Sequence, residues 1–309
     1  MSTSQWVLPL GSAARDGFDV VVDDQVSGWT HTGLRVATLA QGDRVRVPAG
    51  PWEYVVVPLS GSADVEATLS DGSPRSATLA GRASVFAGPT DVVFAPAGSA
   101  CTLTGVAPTS RIAVCAALVA GAGTAPFQHL AAADVPVELR GAGVASREVR
   151  NFGTPGVLQA DAIIACEVIT PAGNWSSYPP HKHDEERAGV ETELEEIYYF
   201  ECQVEGAHDG RDVRTGADPV GYQRVYGTAD RPIDVFAEVR SGDVVLVPHG
   251  WHGPAMAPPG YDLYYLNVMA GPGPVRAWLI CDDPAHAWVR DSWAGLDVDP
   301  RLRPREEAR

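Results

Sequence analysis

Residues 244–252 read VVLVPHGWH: four β-branched or aliphatic residues, a Pro-x-Gly turn and a histidine just beyond it. Such a run has the composition of a buried strand and the punctuation of a tight turn. The same shape occurs earlier as VVFAPAG at 92–98. Upstream of each lies an acidic residue opening another strand: Glu53-Tyr-Val-Val-Val in the first half, Glu196-Ile-Tyr-Tyr-Phe in the second. Two matches in the same order favour an internal duplication over chance. The acidic residues are matched as Glu53 with Glu196.

The rest of the chain agrees with a β architecture. Strands are expected at 53–59, 90–96, 100–106, 111–119, 162–170, 196–201, 243–248 and 261–269. They are short, rich in β-branched and aromatic residues, and bounded by Gly or Pro, of which the 309 residues contain 32 and 25. The charged stretch Glu185 to Glu195 is read as a short helix or a loop. The fold class is therefore all-β, with short strands in two repeats that suit paired jelly-roll barrels. Residues 1–123 form the first unit, 124–150 a connection and 151–309 the second unit.

Charge narrows the function. With 23 Lys+Arg against 39 Asp+Glu, the net charge is −16, which argues against a nucleic-acid partner. The most apolar run, 112–125, is too short for a membrane helix, and the N-terminus lacks signal-peptide character. Five cysteines with no CxxC pair suggest neither a disulfide framework nor a thiolate zinc site. A cytoplasmic protein with no membrane partner is expected. Of the 23 basic residues only Lys182 is lysine, so any Schiff-base chemistry has one candidate.

Five of eight histidines, His181, His183, His208, His249 and His252, fall between 181 and 252. In an extended strand residues i and i+2 share a face, so His181 and His183 can converge on one centre. Glu196 and His252 are placed to join them. Imidazoles with one carboxylate suit a divalent ion such as zinc, iron, manganese or nickel with positions open to substrate.

These residues resemble the cupin pattern: an HxH pair, a glutamate opening a strand, then Gly242, Pro248 and Gly250 in G-x5-P-x-G with His252 one residue early. More specifically, PPHKHD (179–184), LEEIYYF (194–200), GWHGPAMAPPGYDLYYLNVMAG (250–271) and SREVRNF (146–152) resemble the 5-deoxy-glucuronate isomerases of myo-inositol catabolism. EYVVVPLSG (53–61) and GRASVF (81–86) resemble that family's first half.

The resemblance implies a bicupin with a metal in its second barrel, held by His181, His183, Glu196 and His252, zinc or manganese being expected. Twelve residues, 184–195, separate His183 from Glu196 where a general cupin has only a few, so Glu195 and Glu196 both remain open as the carboxylate ligand. Adjacent strand residues face opposite sides, so only one of the two can reach the metal. The first half lacks imidazoles, with Ser99 and Ala100 where the second has His252, and is expected to fold without metal.

The implied reaction is an aldose–ketose isomerisation of a small sugar acid, 5-deoxy-glucuronate to 5-dehydro-2-deoxy-gluconate, in which a proton moves from carbon 2 to carbon 1. It needs an electrophile for the carbonyl and a base. Glu195, Lys182, Tyr198, Glu185 and Glu186 are candidates for the base. The substrate carboxylate calls for an arginine: Arg187 first, with Arg147, Arg150 and Arg224 as alternatives. Tyr265, with Tyr264 and Trp251, is a candidate for the sugar wall, and His249 for support of the ligands. Three other readings stand beside this one. They are a 4-deoxy-5-keto-uronate isomerase of pectin degradation, an iron cupin dioxygenase, and a cupin that binds a sugar without turnover. A homo-oligomer is expected because sheet edges invite association.

Overall fold

The computed structural model describes residues 5–121, 123–207 and 215–302. All eight expected strands are present, and short 3-10 turns supply the only helical segments among the described residues. The stretch 184–194 is an irregular loop, cross-linked where Arg187 pairs with Glu191. Its local charge pairing across a turn replaces the i,i+4 ladder a helix would need.

The strands form three sheets of seven, nine and six strands. In the first half, the 17-residue strand Trp52–Thr68 runs through most of the architecture. It pairs with Thr109–Leu118 at its start and with Pro74–Arg82 and Ala100–Gly105 toward its end. Register shifts at Pro58/Ser60 and Gly61/Ala63 bend it, as bulges do. Gly61 sits at that bend with φ +72, and a Cβ there would lie 2.6 Å from the Thr109 carbonyl oxygen.

In the second half the seven-stranded sheet has Glu195–Val204 near its middle, flanked by Val244–Val247 and Tyr261–Ala270. The six-stranded sheet carries His181–Lys182 and Trp251–Met256 as neighbours. Alternation along Glu195–Val204 assigns its side chains. Tyr198 and Phe200 enter the core between these two sheets. Ile197 and Tyr199 enter a different core, shared with Val55, Val57 and Leu59 of the first half.

That shared layer joins the halves back to back. Each fully buried aliphatic side chain in it contributes roughly 1.5–3 kcal/mol, so the halves are one folding unit rather than beads on a linker. The chain path says the same. Gln128–Leu130 pairs with Val92–Ala95 of the first half, while Val137–Arg140 pairs with Arg147–Gly153 of the second. The segment expected as a connection thus gives a strand to each side. Val7–Leu8, near the start of the chain, pairs with Val244–Val247.

Candidate metal centre and active site

Three imidazoles meet where the two second-half sheets approach. His181 and His252 are directly paired across neighbouring strands, and His183 follows two residues after His181. Ring centroids lie 4.5 Å apart for His181–His252, 4.6 Å for His183–His252 and 6.2 Å for His181–His183. Their ligating nitrogens all fall within 4.8 Å of one another. The turn that allows this depends on Gly253. Its φ is +100, and a Cβ there would sit 1.8 Å from the Ser177 carbonyl oxygen, so only glycine lets the His252 strand pass.

Each ring is oriented by a backbone carbonyl: Pro179 for His181, Leu194 at 3.1 Å for His183 Nδ1, and Gly250 at 3.1 Å for His252 Nδ1. An Nδ1–H donating to a carbonyl leaves Nε2 with its lone pair free. The carboxylate at the centre is Glu196. Its Oε2 lies 3.1 Å from Nε2 of both His183 and His252, and all three residues are 1–2% exposed. His252 Nε2 is buried with no hydrogen-bond partner. Three imidazoles, a carboxylate and a buried His252 Nε2 without a hydrogen-bond partner form the donor set of a divalent-ion site, and the residues fit one.

The electrostatics are those of a site primed for a cation. Burial would raise the Glu196 pKa, but the close approach of His183 and His252 outweighs it and brings it to about 2. Burial, then the neighbouring imidazoles, hold His181 well below its ordinary value and so neutral. His183 is displaced upward, because contact with Glu196 outweighs its own burial.

A cleft of about 160 Å³ opens from His181 and Glu196. Tyr198 and Tyr265 line it, joined through Ser177: its Oγ is 3.4 Å from the Tyr198 hydroxyl and 3.1 Å from that of Tyr265. Ser177 holds φ +51, an uncommon conformation for a side-chain-bearing residue. Burial pushes the Tyr198 pKa well up and that of Tyr265 to about 12, so both remain protonated donors. Arg147, Asn267 and Trp278 line the remainder.

Several residues expected at the site lie elsewhere. Glu195 faces the first half, where it accepts hydrogen bonds from the backbone N–H of Thr30, His31 and Thr32 and from the Thr32 hydroxyl. Strand alternation turns it away from the imidazoles, so it is no base for chemistry there. Lys182 likewise points off the metal face, paired with Asp184 at 2.6 Å and Glu191 at 2.9 Å, over the ring of Trp251. Arg187 is committed to Glu191 outside the cleft. Glu185 and Glu186 are exposed on the same loop. Arg150 pairs with Glu148 and with first-half carbonyls, and Arg224 pairs with Asp234. Tyr264 belongs to the layer between the halves, bonded to Glu167. His249 sits beside Arg231 and Asp184, and His208 lies outside the described residues.

The matching of the repeats also shifts by one residue. Tyr54 pairs with Ala95, just before Pro96, whereas Glu196 pairs with Val247, just before Pro248. Tyr54 is therefore the counterpart of Glu196, and Glu53 that of Glu195. Glu53 behaves accordingly: it accepts hydrogen bonds from the backbone N–H of Asp161, Ala162 and Ile163 in the second half. Sequence reading missed Asn267, Trp278 and Ser177 because each is a single polar residue in an otherwise apolar or turn segment. The only available signal was the facing pair Arg140 and Arg147 on either side of the Gly-rich hairpin at 141–143.

The KduI/IolB family profile matches residues 7–289. A 5-deoxy-glucuronate isomerase from Geobacillus kaustophilus is 40% identical over 292 residues, covering 94% of this chain and 96% of the relative. The protein of the same name from Bacillus subtilis (strain 168) is 36% identical over 264 residues, 85% and 89% of the two chains. The crystal structure of an IolB-like protein from Salmonella typhimurium LT2 superposes with a TM-score of 0.78 at 33% identity, covering 92% of this chain and 98% of that one. An oxalate decarboxylase from Lactobacillus farciminis shares the fold at a TM-score of 0.63 and 12% identity, over 91% and 89% of the chains.

Proposed function

Because the chain belongs to the KduI/IolB family, we propose that it is an aldose–ketose isomerase converting 5-deoxy-glucuronate to 5-dehydro-2-deoxy-gluconate in myo-inositol catabolism. The observation that carries the reading is the buried His181–His183–His252 cluster with Glu196, opening on a cleft of sugar-acid size and polarity. In this reading the two halves are the two jelly-roll barrels of a duplicated cupin. Residues 1–123 form the barrel without a metal, 124–150 the connection and 151–309 the catalytic barrel. The enzyme is cytoplasmic and assembles with copies of itself.

His181, His183, His252 and Glu196 would hold a divalent ion, zinc or manganese, since no redox step is needed. When bound, the ion supplies a Lewis acid for the carbonyl and the adjacent hydroxyl. The remaining work falls to the chain. Tyr198 and Tyr265, kept protonated by burial, donate hydrogen bonds to the substrate oxygens that gain negative charge in the isomerisation. Ser177 fixes both hydroxyls. The apolar walls, Val149 and Val168, limit water at the reacting carbons.

The test is a coupled assay with 5-deoxy-glucuronate and with the pectin-derived 4-deoxy-5-keto-uronate, before and after chelation and after metal is restored. Turnover of the first substrate, lost on chelation and recovered on reloading, is expected. Turnover of neither by metal-loaded protein would sink the isomerase reading. Full turnover after verified metal removal would sink the role of the ion alone.

A further inference from the structure

The cleft that His181 and Glu196 line also holds an unusual concentration of positive charge. Arg147 and Arg140 stand directly opposite each other on paired strands, and Arg290 lines the same cavity. Like charges facing across a strand pair destabilise a sheet unless something neutralises them. Arg140 has Glu138 at 2.8 Å and the ring of Trp278, and Arg290 has Asp282. Arg147 has only the carbonyl of Ala145, 3.1 Å from Nη1, and no carboxylate partner among the described residues.

Two further donors around the same space are unspent. Trp278 Nε1 and Asn267 Nδ2 are buried without hydrogen-bond partners, and Asn267 is only 3% exposed. A guanidinium without a carboxylate partner and two N–H groups without acceptors ask for a ligand rich in acceptors and carrying negative charge. Glu196, the one carboxylate lining the cleft, is taken up by His183 and His252.

We infer that Arg147 binds the carboxylate of the substrate, with Trp278 Nε1 and Asn267 Nδ2 donating to its carboxylate and hydroxyl oxygens. That the bound acid is a uronate rests on the isomerase reading; that the pocket takes a carboxylate does not. An acid anchored at Arg147 lies in the same cleft as His181 and Glu196, with carbons 1 and 2 left to face them. Arg147 thereby reads the feature that separates a sugar acid from a neutral aldose. Its fork can take both carboxylate oxygens, which lysine cannot match.

The test uses full-length, metal-loaded protein and two ligand pairs. In the first, 5-deoxy-glucuronate is compared with its analogue bearing a primary alcohol in place of the carboxylate. Wild type should prefer the acid by about 100-fold in kcat/KM, a difference of about 2.7 kcal/mol. Arg147→Gln should lose most of that preference, mainly through KM, with Arg147→Lys in between and metal content unchanged. Its unfolding midpoint should stay level or rise, because a half-buried charge without a carboxylate partner has been removed.

In the second pair, 4-hydroxybutyrate and 1,4-butanediol are compared by thermal shift. The acid alone should stabilise wild type and His183→Ala, and should have no effect on Arg147→Gln. An equal loss of acid and alcohol turnover in Arg147→Gln would overturn the inference. So would an acid-dependent shift that survives the substitution, or one absent from wild type. An acid-dependent shift that requires Arg147, in a protein that isomerises no uronate, would sustain the carboxylate site while removing the reaction assigned to it.

Discussion

Tyr54 and Glu196 occupy the same place in the two halves, each one residue after a buried glutamate and each paired with the residue before a Pro-x-Gly turn. In the second half that place carries a carboxylate facing three imidazoles. In the first it carries a phenol packed into an apolar core, its hydroxyl donating to the Pro48 carbonyl. The residue before it has the same role on both sides. Glu53 gathers three backbone N–H groups of the second half, and Glu195 gathers three of the first. A reciprocal clasp thus joins the halves, while the three imidazoles lie in the second. What both halves need for assembly is retained in both; what chemistry needs is built once.

The largest expected effect separates the two faces of that strand. His183→Ala should remove the bound metal and lower kcat/KM by roughly a thousandfold or more, the scale of losing several kcal/mol of charge stabilisation. Tyr54→Phe, at the other half's equivalent position for Glu196, should change neither, and should cost only about 1 kcal/mol for one hydrogen bond. Elemental analysis beside the kinetics decides it: wild-type metal content in His183→Ala would break the contrast between the halves.

The clasps come next. Glu195→Ala leaves three backbone N–H groups and a hydroxyl without an acceptor, and each buried orphan costs about 1–3 kcal/mol. Urea unfolding should show a loss of about 3–5 kcal/mol, with the metal retained. Glu53→Ala should behave alike. If Glu195→Ala instead lost metal while keeping its stability, the assignment of the two neighbouring glutamates would have to be reversed.

The smallest effect is on pH dependence. Burial is the largest influence on both clasp carboxyls and raises them above 4.5 despite the N–H donors. A carboxyl raised on folding holds its proton more tightly folded than unfolded. Its contribution to stability is full below the unfolded pKa and is lost as pH rises through the folded pKa. Replacing either with Gln should flatten that decline as pH rises above the ordinary carboxyl value of 4.5, measured by denaturant unfolding. A decline as steep in Glu53→Gln and Glu195→Gln as in wild type would assign the pH dependence to other groups.

Much of this was legible in the residues. Strand positions followed from short β-branched runs between Gly and Pro, and the HxH spacing placed two imidazoles on one face. The strands missed, such as Gly221–Tyr226 and Asp234–Val239, have one half-buried or exposed face, so their composition is mixed and their apolar signal weak. Lys182 and Arg187 drew attention through proximity in sequence to the histidines, yet alternation and the ion pairs of the 184–194 loop turn both away. Arg147 is 34 residues from His181 and nothing local distinguishes it from Arg150. Only the pairing of its strand shows one arginine neutralised and the other not.

Sequence by itself determined a mostly β chain and the set of residue types able to hold a divalent ion, because those follow from local periodicity and spacing. Tertiary structure alone decided which of two adjacent glutamates meets the imidazoles and which residue of the first half corresponds to it. It also decided which arginine faces the cleft without a partner. A strand's register fixes the face of every side chain on it, and register is set by the neighbours it pairs with, not by the residues it contains.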